Sequence, residues 1–152
     1  MIKTMSLYGT WTTLRYPTKV SCSFIIKFYL TDIIEIDNLK GLEKLQKLQL
    51  DNNIICKIQN LEHLTELRWL DLSFNLIEKI EGLDTLTKLT DLSLFSNRIT
   101  IIEGLDNLTE LNVLSFGQNL VRQHDDAVQY LKKLKNKLEV LKMSDNPYNY
   151  VG

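Results

Sequence analysis

The chain has 152 residues, of which 44% are hydrophobic, and this is enough for one domain with a sizeable core. Its formal net charge of −1 gives no global electrostatic reason to expect binding to nucleic acid. Cys22 and Cys56 share no short motif, so the sequence favours reduced thiols and a cytoplasmic protein. The apolar stretch at 20–30 is interrupted by Lys27 and is too short to span a membrane.

The N-terminal part of the chain divides into an extension and the start of a repeat domain. Residues 1–23 show no period and are interpreted as an extension of unknown structure. The repeat domain is predicted over residues 24–148, and its first copy, at 24–42, is degenerate. Thr31 or Asp32 takes the polar position of that copy. End repeats of a solenoid are expected to deviate, because they cap the core.

A pattern of leucines and isoleucines around one asparagine then recurs at a fixed period. Asn53, Asn75, Asn97 and Asn119 lie 22 residues apart, and Asn146 follows 27 residues later. The apolar positions around Asn75 are Leu67, Leu70, Leu72, Ile77, Ile80 and Leu83. This period and pattern are the signature of leucine-rich repeats. They predict an α/β fold: a solenoid with a parallel β-sheet on its concave side and short 3₁₀ or helical return segments.

The recurring asparagine has a physical role in this prediction. Leu70 and Leu72 alternate with Trp69 and Asp71, so a short strand would point the leucines inward. The chain must then turn inside the core, where backbone N–H and C=O groups need partners. An inward asparagine offers both donors and an acceptor. We therefore predict a ladder that bonds the coils, formed by Asn53, Asn75, Asn97, Asn119 and Asn146.

The fourth repeat has a longer return segment than the others. Residues 125–137 are predicted to form a helix, since Asp125 and Asp126 lie near its start and four lysines lie near its end. The fifth repeat lacks a return half. Residues 149–152 are interpreted as a tail.

The sequence contains no pattern typical of a catalytic or metal site. It has neither a nucleophile elbow nor a glycine-rich phosphate loop. His63 and His124 lack the spacing of metal ligands. Asp51, Asp71 and Asp91 do not share one column of the predicted sheet and are interpreted as surface charge. We therefore expect a protein that is not an enzyme and uses no cofactor.

The outward side chains of the strands are more informative. They tile one continuous surface in columns, because neighbouring strands lie about 4.8 Å apart. Large or apolar residues on this face are rimmed by polar groups, a composition typical of binding hot spots. The predicted protein-binding residues are Trp69, Phe95, Val113, Lys47, Asp71 and Asp91. The alternative is that Trp69 lies flat across neighbouring strands. Phe74 is assigned a structural role, because its surrounding "LSFN" is common in such repeats.

Three strings carry a closer resemblance: "LQLDNNII" at 48–55, "RWLDLSFNLIEKIEGLDTL" at 68–86 and "DLSLFSNRI" at 91–99. They resemble the leucine-rich-repeat subunit of the nexin–dynein regulatory complex of motile cilia and flagella, and the similarity runs from about residue 28 to 147. That family has a coiled-coil tail and a cap after the repeats, for which this sequence has no counterpart.

The resemblance implies a non-enzymatic scaffold of the axoneme, at the linker between doublet microtubules. Its implied partners are coiled-coil subunits of the complex and axonemal dynein, with tubulin as a further candidate, and no nucleic acid or membrane. Two alternatives have the same repeat type. One is a light chain of axonemal dynein, and the other is a phosphatase regulator that binds an enzyme through its concave face.

Overall fold

The computed structural model describes residues 24–27, 32–134 and 138–148. The elements in chain order are β1 (Phe24–Lys27), β2 (Leu45–Gln49), β3 (Trp69–Asp71), β4 (Asp91–Ser93), β5 (Val113–Ser115), α1 (His124–Lys133) and β6 (Val140–Lys142). The predicted N-terminal extension and C-terminal tail lie outside the described residues.

All six strands form one parallel sheet in which each strand pairs with the next in sequence. Pairing places Leu48, Leu70, Leu92, Leu114 and Leu141 in one line across the sheet. Each coil therefore adds one strand in constant register, and the predicted solenoid with a parallel sheet is confirmed.

The core lies between the sheet and the return segments. Leu70 and Leu72 of the third coil are 1% and 0% exposed, and Ile77 and Ile80 of its return segment are 0% and 1% exposed. Complete burial of such a side chain stabilises the folded state by about 1.5–3 kcal/mol. The leucine pattern thus closes each coil on itself and on its neighbours.

The return segments contain 3₁₀-type turns, one of the two forms that the sequence predicts for them. In the coil that follows β2, the N–H of Leu64 donates to the carbonyl of Leu61 and the N–H of Leu67 donates to that of Leu64, both at 2.9 Å. The next two coils repeat this pair of bonds. These i+3→i bonds are of the 3₁₀ type, but each closes a single turn. The two turns share only Leu64 and do not overlap, so they do not form a continuous helix.

A left-handed backbone residue opens each of these return segments. Gly82 and Gly104 have φ angles of 68° and 70° there, and Asn60 has 58°. A Cβ atom on Gly104 would lie 2.7 Å from the carbonyl oxygen of Ile80 in the preceding coil. Neighbouring coils therefore approach too closely at this point for a side chain to fit at Gly104.

The ladder asparagines lie at the turn that follows each strand. Asn75 accepts a hydrogen bond at Oδ1 from the N–H of Ile55 at 3.0 Å, and its Nδ2 donates to the carbonyls of Leu50 and Leu72 at 2.9 and 3.1 Å. Ile55 and Leu50 belong to the preceding coil. The corresponding Oδ1 atoms accept from Ile33 (Asn53), Ile77 (Asn97), Ile99 (Asn119) and Val121 (Asn146) at 3.0–3.1 Å. Each asparagine thus bonds two coils through their backbones.

The helix is shorter than predicted. It begins at His124 rather than 125 and ends at Lys133, because Leu134 takes an extended conformation and its N–H bonds back to Leu131. This extended residue turns the chain toward β6. Residues 135–137 lie outside the described part of the chain.

Tyr130 fixes the helix to the preceding coil. Its hydroxyl donates to Asp106 Oδ2 and accepts from the N–H of Leu105, both at 2.8 Å. Burial raises the pKa of Tyr130 to about 12, and the hydrogen bond to Asp106 adds to this effect. The phenol is therefore held neutral in a position that pairs a backbone donor.

Replacing Asn75 by Ala should lower the free energy of unfolding by about 1–3 kcal/mol, because buried backbone groups of two coils lose their partners. Asn107→Ala is the control, since Asn107 is exposed and its side chain makes only a 3.4 Å bond to Asp84. We expect its effect to stay within about 0.5 kcal/mol. Urea unfolding measures both, and equal losses would contradict the ladder.

Replacing Tyr130 by Phe should cost about 1–2 kcal/mol at pH 7, because the N–H of Leu105 is left unpaired. The folded-state pKa lies above the unfolded value of about 10. The contribution of the phenol is therefore present below about pH 10 and is lost as the pH rises toward 12. The difference between the two proteins in urea unfolding should shrink from pH 7 to pH 11. A constant difference would show that ionisation of the Tyr130 hydroxyl does not affect the free energy of unfolding.

Candidate protein-binding face

The outward side chains of the strands form the concave face, and the strand register orders them in columns. Lys47, Trp69, Asp91 and Val113 are successive Cα partners across β2 to β5. Lys47 is exposed, and the other three are half-buried. Part of the Trp69 side chain is therefore accessible to solvent, and part is packed against the protein.

A small polar network lies beside this column. Asp71 Oδ1 accepts from the N–H of Ser73 at 2.9 Å and from its Oγ at 2.6 Å, and Ser73 Oγ lies 2.7 Å from Ser93 Oγ. Asp91 Oδ2 accepts from Thr90 Oγ1 at 2.7 Å. These hydrogen bonds hold both carboxylates in fixed positions on the face.

Phe95 is packed against the face by two neighbours. Its ring makes an edge-on contact with Phe74, with centroids 5.6 Å apart and planes at 68°. A Cβ atom on Gly117 would lie 3.2 Å from two carbons of the same ring. Phe95 therefore lies over Gly117, and a side chain at position 117 would displace it.

Phe74 is the aromatic residue that the sequence interpretation left out of the face. It is 48% exposed and has a φ angle of 54°, which is unfavourable for a bulky side chain. The same turn position of the other coils holds residues with small or polar side chains: Asn52, Ser96, Gln118 and Asp145. Phe74 is therefore recognisable in the sequence as an aromatic residue at a turn position that holds small or polar side chains in these other coils.

A shallow depression of about 550 Å³ lies at the β6 end of the concave face. Its lining residues are Phe95, His124, Leu141, Lys142, Met143, Ser144 and Tyr148. The predicted binding residues other than Phe95 do not reach it. Sequence reasoning missed Met143 and Tyr148, because they come together only when α1 and β6 are in place.

The remaining reactive side chains show no converging chemistry. His63 lies with Nε2 2.8 Å from the carbonyl oxygen of Leu39, which is a structural contact. Within residues 24–27, 32–134 and 138–148, no three His, Cys, Asp or Glu side chains could hold a metal ion. In the same part of the chain no helix is long and apolar enough to cross a membrane. Cys56 is a free, exposed thiol, and Cys22 lies outside the described residues.

Residues 65–107 match the family model described as leucine-rich repeats in two copies. These residues include β3, β4 and the asparagines at 75 and 97. The fold is a leucine-rich-repeat solenoid. No curated protein sequence matches the chain.

Solved structures resemble the chain over most of its length. An internalin, InlF, from Listeria monocytogenes is 29% identical with a TM-score of 0.72 and covers 81% of this chain and 35% of its own. The functional domain of InlJ from the same organism gives 23% identity and a TM-score of 0.63, covering 84% and 26%. A TLR13–ssRNA13 complex gives 29% identity and a TM-score of 0.59, covering 70% and 15%. The chain thus spans about a third or less of these proteins.

Replacing Phe74 by Asn should change the free energy of unfolding of the leucine-rich-repeat solenoid by less than about 1 kcal/mol. Relief of the left-handed backbone, about 1–2 kcal/mol, offsets loss of the aromatic pair, about 0.5–1.5 kcal/mol. Ser96→Asn relieves the same backbone conformation in the next coil without losing a ring and should be slightly stabilising. If Phe74→Asn costs as much as a core Leu72→Ala exchange, about 2–5 kcal/mol, Phe74 serves packing instead.

Proposed function

We propose that this chain is a non-enzymatic scaffold that binds a partner protein through its concave face. Leucine-rich-repeat proteins generally act as protein-interaction scaffolds, and residues 65–107 carry these repeats. The observation that carries the proposal is the set of accessible aromatic side chains on this face: Trp69 at the start of β3, and the contacting pair Phe74 and Phe95 beyond the ends of β3 and β4. The core beneath is already closed by leucines that are 0–1% exposed, so these rings are not needed to fill it.

The dimensions of the face fit a helical partner. Six strands about 4.8 Å apart span roughly 24 Å, which corresponds to about 16 residues of α-helix at 1.5 Å per residue. A coiled-coil segment of that length can reach every strand of the face. This supports a coiled-coil partner but does not single one out.

The proposed setting is the nexin–dynein regulatory complex of the ciliary or flagellar axoneme. The support for it is the resemblance of the strings at 48–55, 68–86 and 91–99 to the leucine-rich-repeat subunit of that complex. Coiled-coil subunits and axonemal dynein are then the proposed partners, with tubulin as a further candidate.

Protein is favoured over nucleic acid as the ligand, although one structural neighbour is a complex with single-stranded RNA. Binding to phosphates depends on Lys and Arg. The centre of this face instead carries Asp71 and Asp91, and neither takes part in an ion pair of the described residues. A negative centre would repel a phosphate backbone.

The test is a Trp69→Ala, Phe95→Ala double variant, expressed with a tag in ciliated cells. A true hot spot loses about 2 kcal/mol or more on truncation, so the variant should fail to enter the axoneme. The matched control is an Ile101→Ala, Leu120→Ala double variant. It removes two side chains, 60% and 47% exposed, that line a different depression. It should incorporate normally.

Each outcome bears on a separate part of the proposal. Melting temperatures of both purified variants show whether the fold survives. If the folded concave variant keeps every partner, the concave-face proposal is wrong. If wild-type chain stays outside the axoneme and captures no subunit of the complex, the ciliary setting is wrong.

A further inference from the structure

We propose that the depression at the β6 end of the concave face binds an acidic segment of the partner. The segment would place a large apolar side chain in the depression and a carboxylate beside Lys142. This inference rests on the proposed function, because it takes the ligand to be a protein.

The apolar part of the depression consists of side chains that would be buried in other coils. Leu141 is 39% exposed, whereas its strand partner Leu114 is 0% exposed. Met143 is half-buried, whereas Phe116, which holds the same position one coil earlier, is 0% exposed. Together with the ring of Phe95 they form an accessible apolar surface. Contact with an apolar side chain would remove this surface from water.

The walls of the depression are held in place by internal contacts. The hydroxyl of Tyr148 donates to the carbonyl of Met143 at 2.6 Å, and the ring of Tyr148 meets that of His124 edge-on at 5.1 Å. Phe95 is fixed by Phe74 and by its approach to Gly117. Ordered aromatic walls lose little conformational entropy when a ligand binds, and this favours an anchor site.

The charge of the depression determines which segment fits. Among its lining residues Lys142 is the one lysine or arginine, and none is an aspartate or glutamate. Lys142 is in no ion pair of the described residues. Three acidic residues lie close in sequence to lining residues: Asp125, Glu139 and Asp145. None of them lines the depression, although Asp125 and Asp145 bond to the lining residues His124 and Ser144 at 3.1 and 3.3 Å. A carboxylate on the ligand therefore has a free cation to meet.

The proposal predicts how three blocked peptides bind the full chain. They are Ser-Glu-Glu-Trp-Glu-Glu-Ser, the same peptide with Lys in place of Glu, and the acidic peptide with Ala in place of Trp. The chain has only three methionines, so selective ¹³C-methyl labelling gives a simple spectrum in which Met143 reports on the depression. The acidic Trp peptide should shift the Met143 methyl signal. The Lys peptide should bind about three- to fivefold more weakly, because an exposed ion pair is weak. The Ala peptide should bind about thirtyfold more weakly, because it lacks the aromatic anchor.

A charge exchange in the protein tests the same point. Lys142→Glu should remove the preference for the acidic peptide or reverse it. Lys44→Glu is the matched control, because Lys44 is an exposed lysine directly before β2 and does not line the depression. It should leave the affinity for the acidic peptide unchanged.

Equal shifts with the acidic and the basic Trp peptide in the wild-type chain would overturn the charge argument, whether or not the variants fold. Absence of a Met143 shift with any peptide at millimolar concentration would overturn the inference as a whole. The proposed function fails separately, when the folded concave double variant still enters the axoneme. If the double variant fails to enter the axoneme and the wild-type chain binds none of the peptides, the scaffold proposal stands. The depression is then rejected as an anchor site.

Discussion

A chain that turns inside a hydrophobic core must pair the backbone groups at the turn, and in this molecule one asparagine per coil does so. The side chain of Asn75 pairs an N–H of the preceding coil and carbonyl groups of both coils. No apolar residue could supply these bonds, and no exposed residue could reach them. The asparagine must therefore recur at the same point of every coil, whether the coil has 22 residues or, as between Asn119 and Asn146, 27.

The constant register that results separates the roles of the two sides of each strand. The ladder and the return turns hold the inward leucines at one depth in the core. Few other residues could therefore replace a leucine at these positions. Outward residues lie on the same backbone but do not fill the core. The concave face therefore combines fixed positions with free choice of side chain, which suits a surface that recognises another molecule.

Sequence reasoning found the features that depend on period and residue type. The asparagine offset, the inward leucines and the parallel sheet all follow from local pattern and the need to pair buried backbone. Features that depend on a contact between coils were missed. The position of Phe95 depends on the absence of a side chain at Gly117, and the depression depends on Tyr148 and Met143 meeting behind β6. The helix end was misplaced because lysines continue the helical pattern beyond Lys133, while the chain must turn toward the next strand.

The ladder also has a direction. Each asparagine Oδ1 accepts from a coil made earlier, as Asn97 does from Ile77 and Asn119 from Ile99. A coil emerging from the ribosome thus has its own turn completed only when the following coil arrives. A backbone N–H of one coil therefore lacks its partner until the asparagine of the following coil is made, about one repeat later in synthesis. Assembly in chain order would leave at most one incomplete turn at a time, at the growing end.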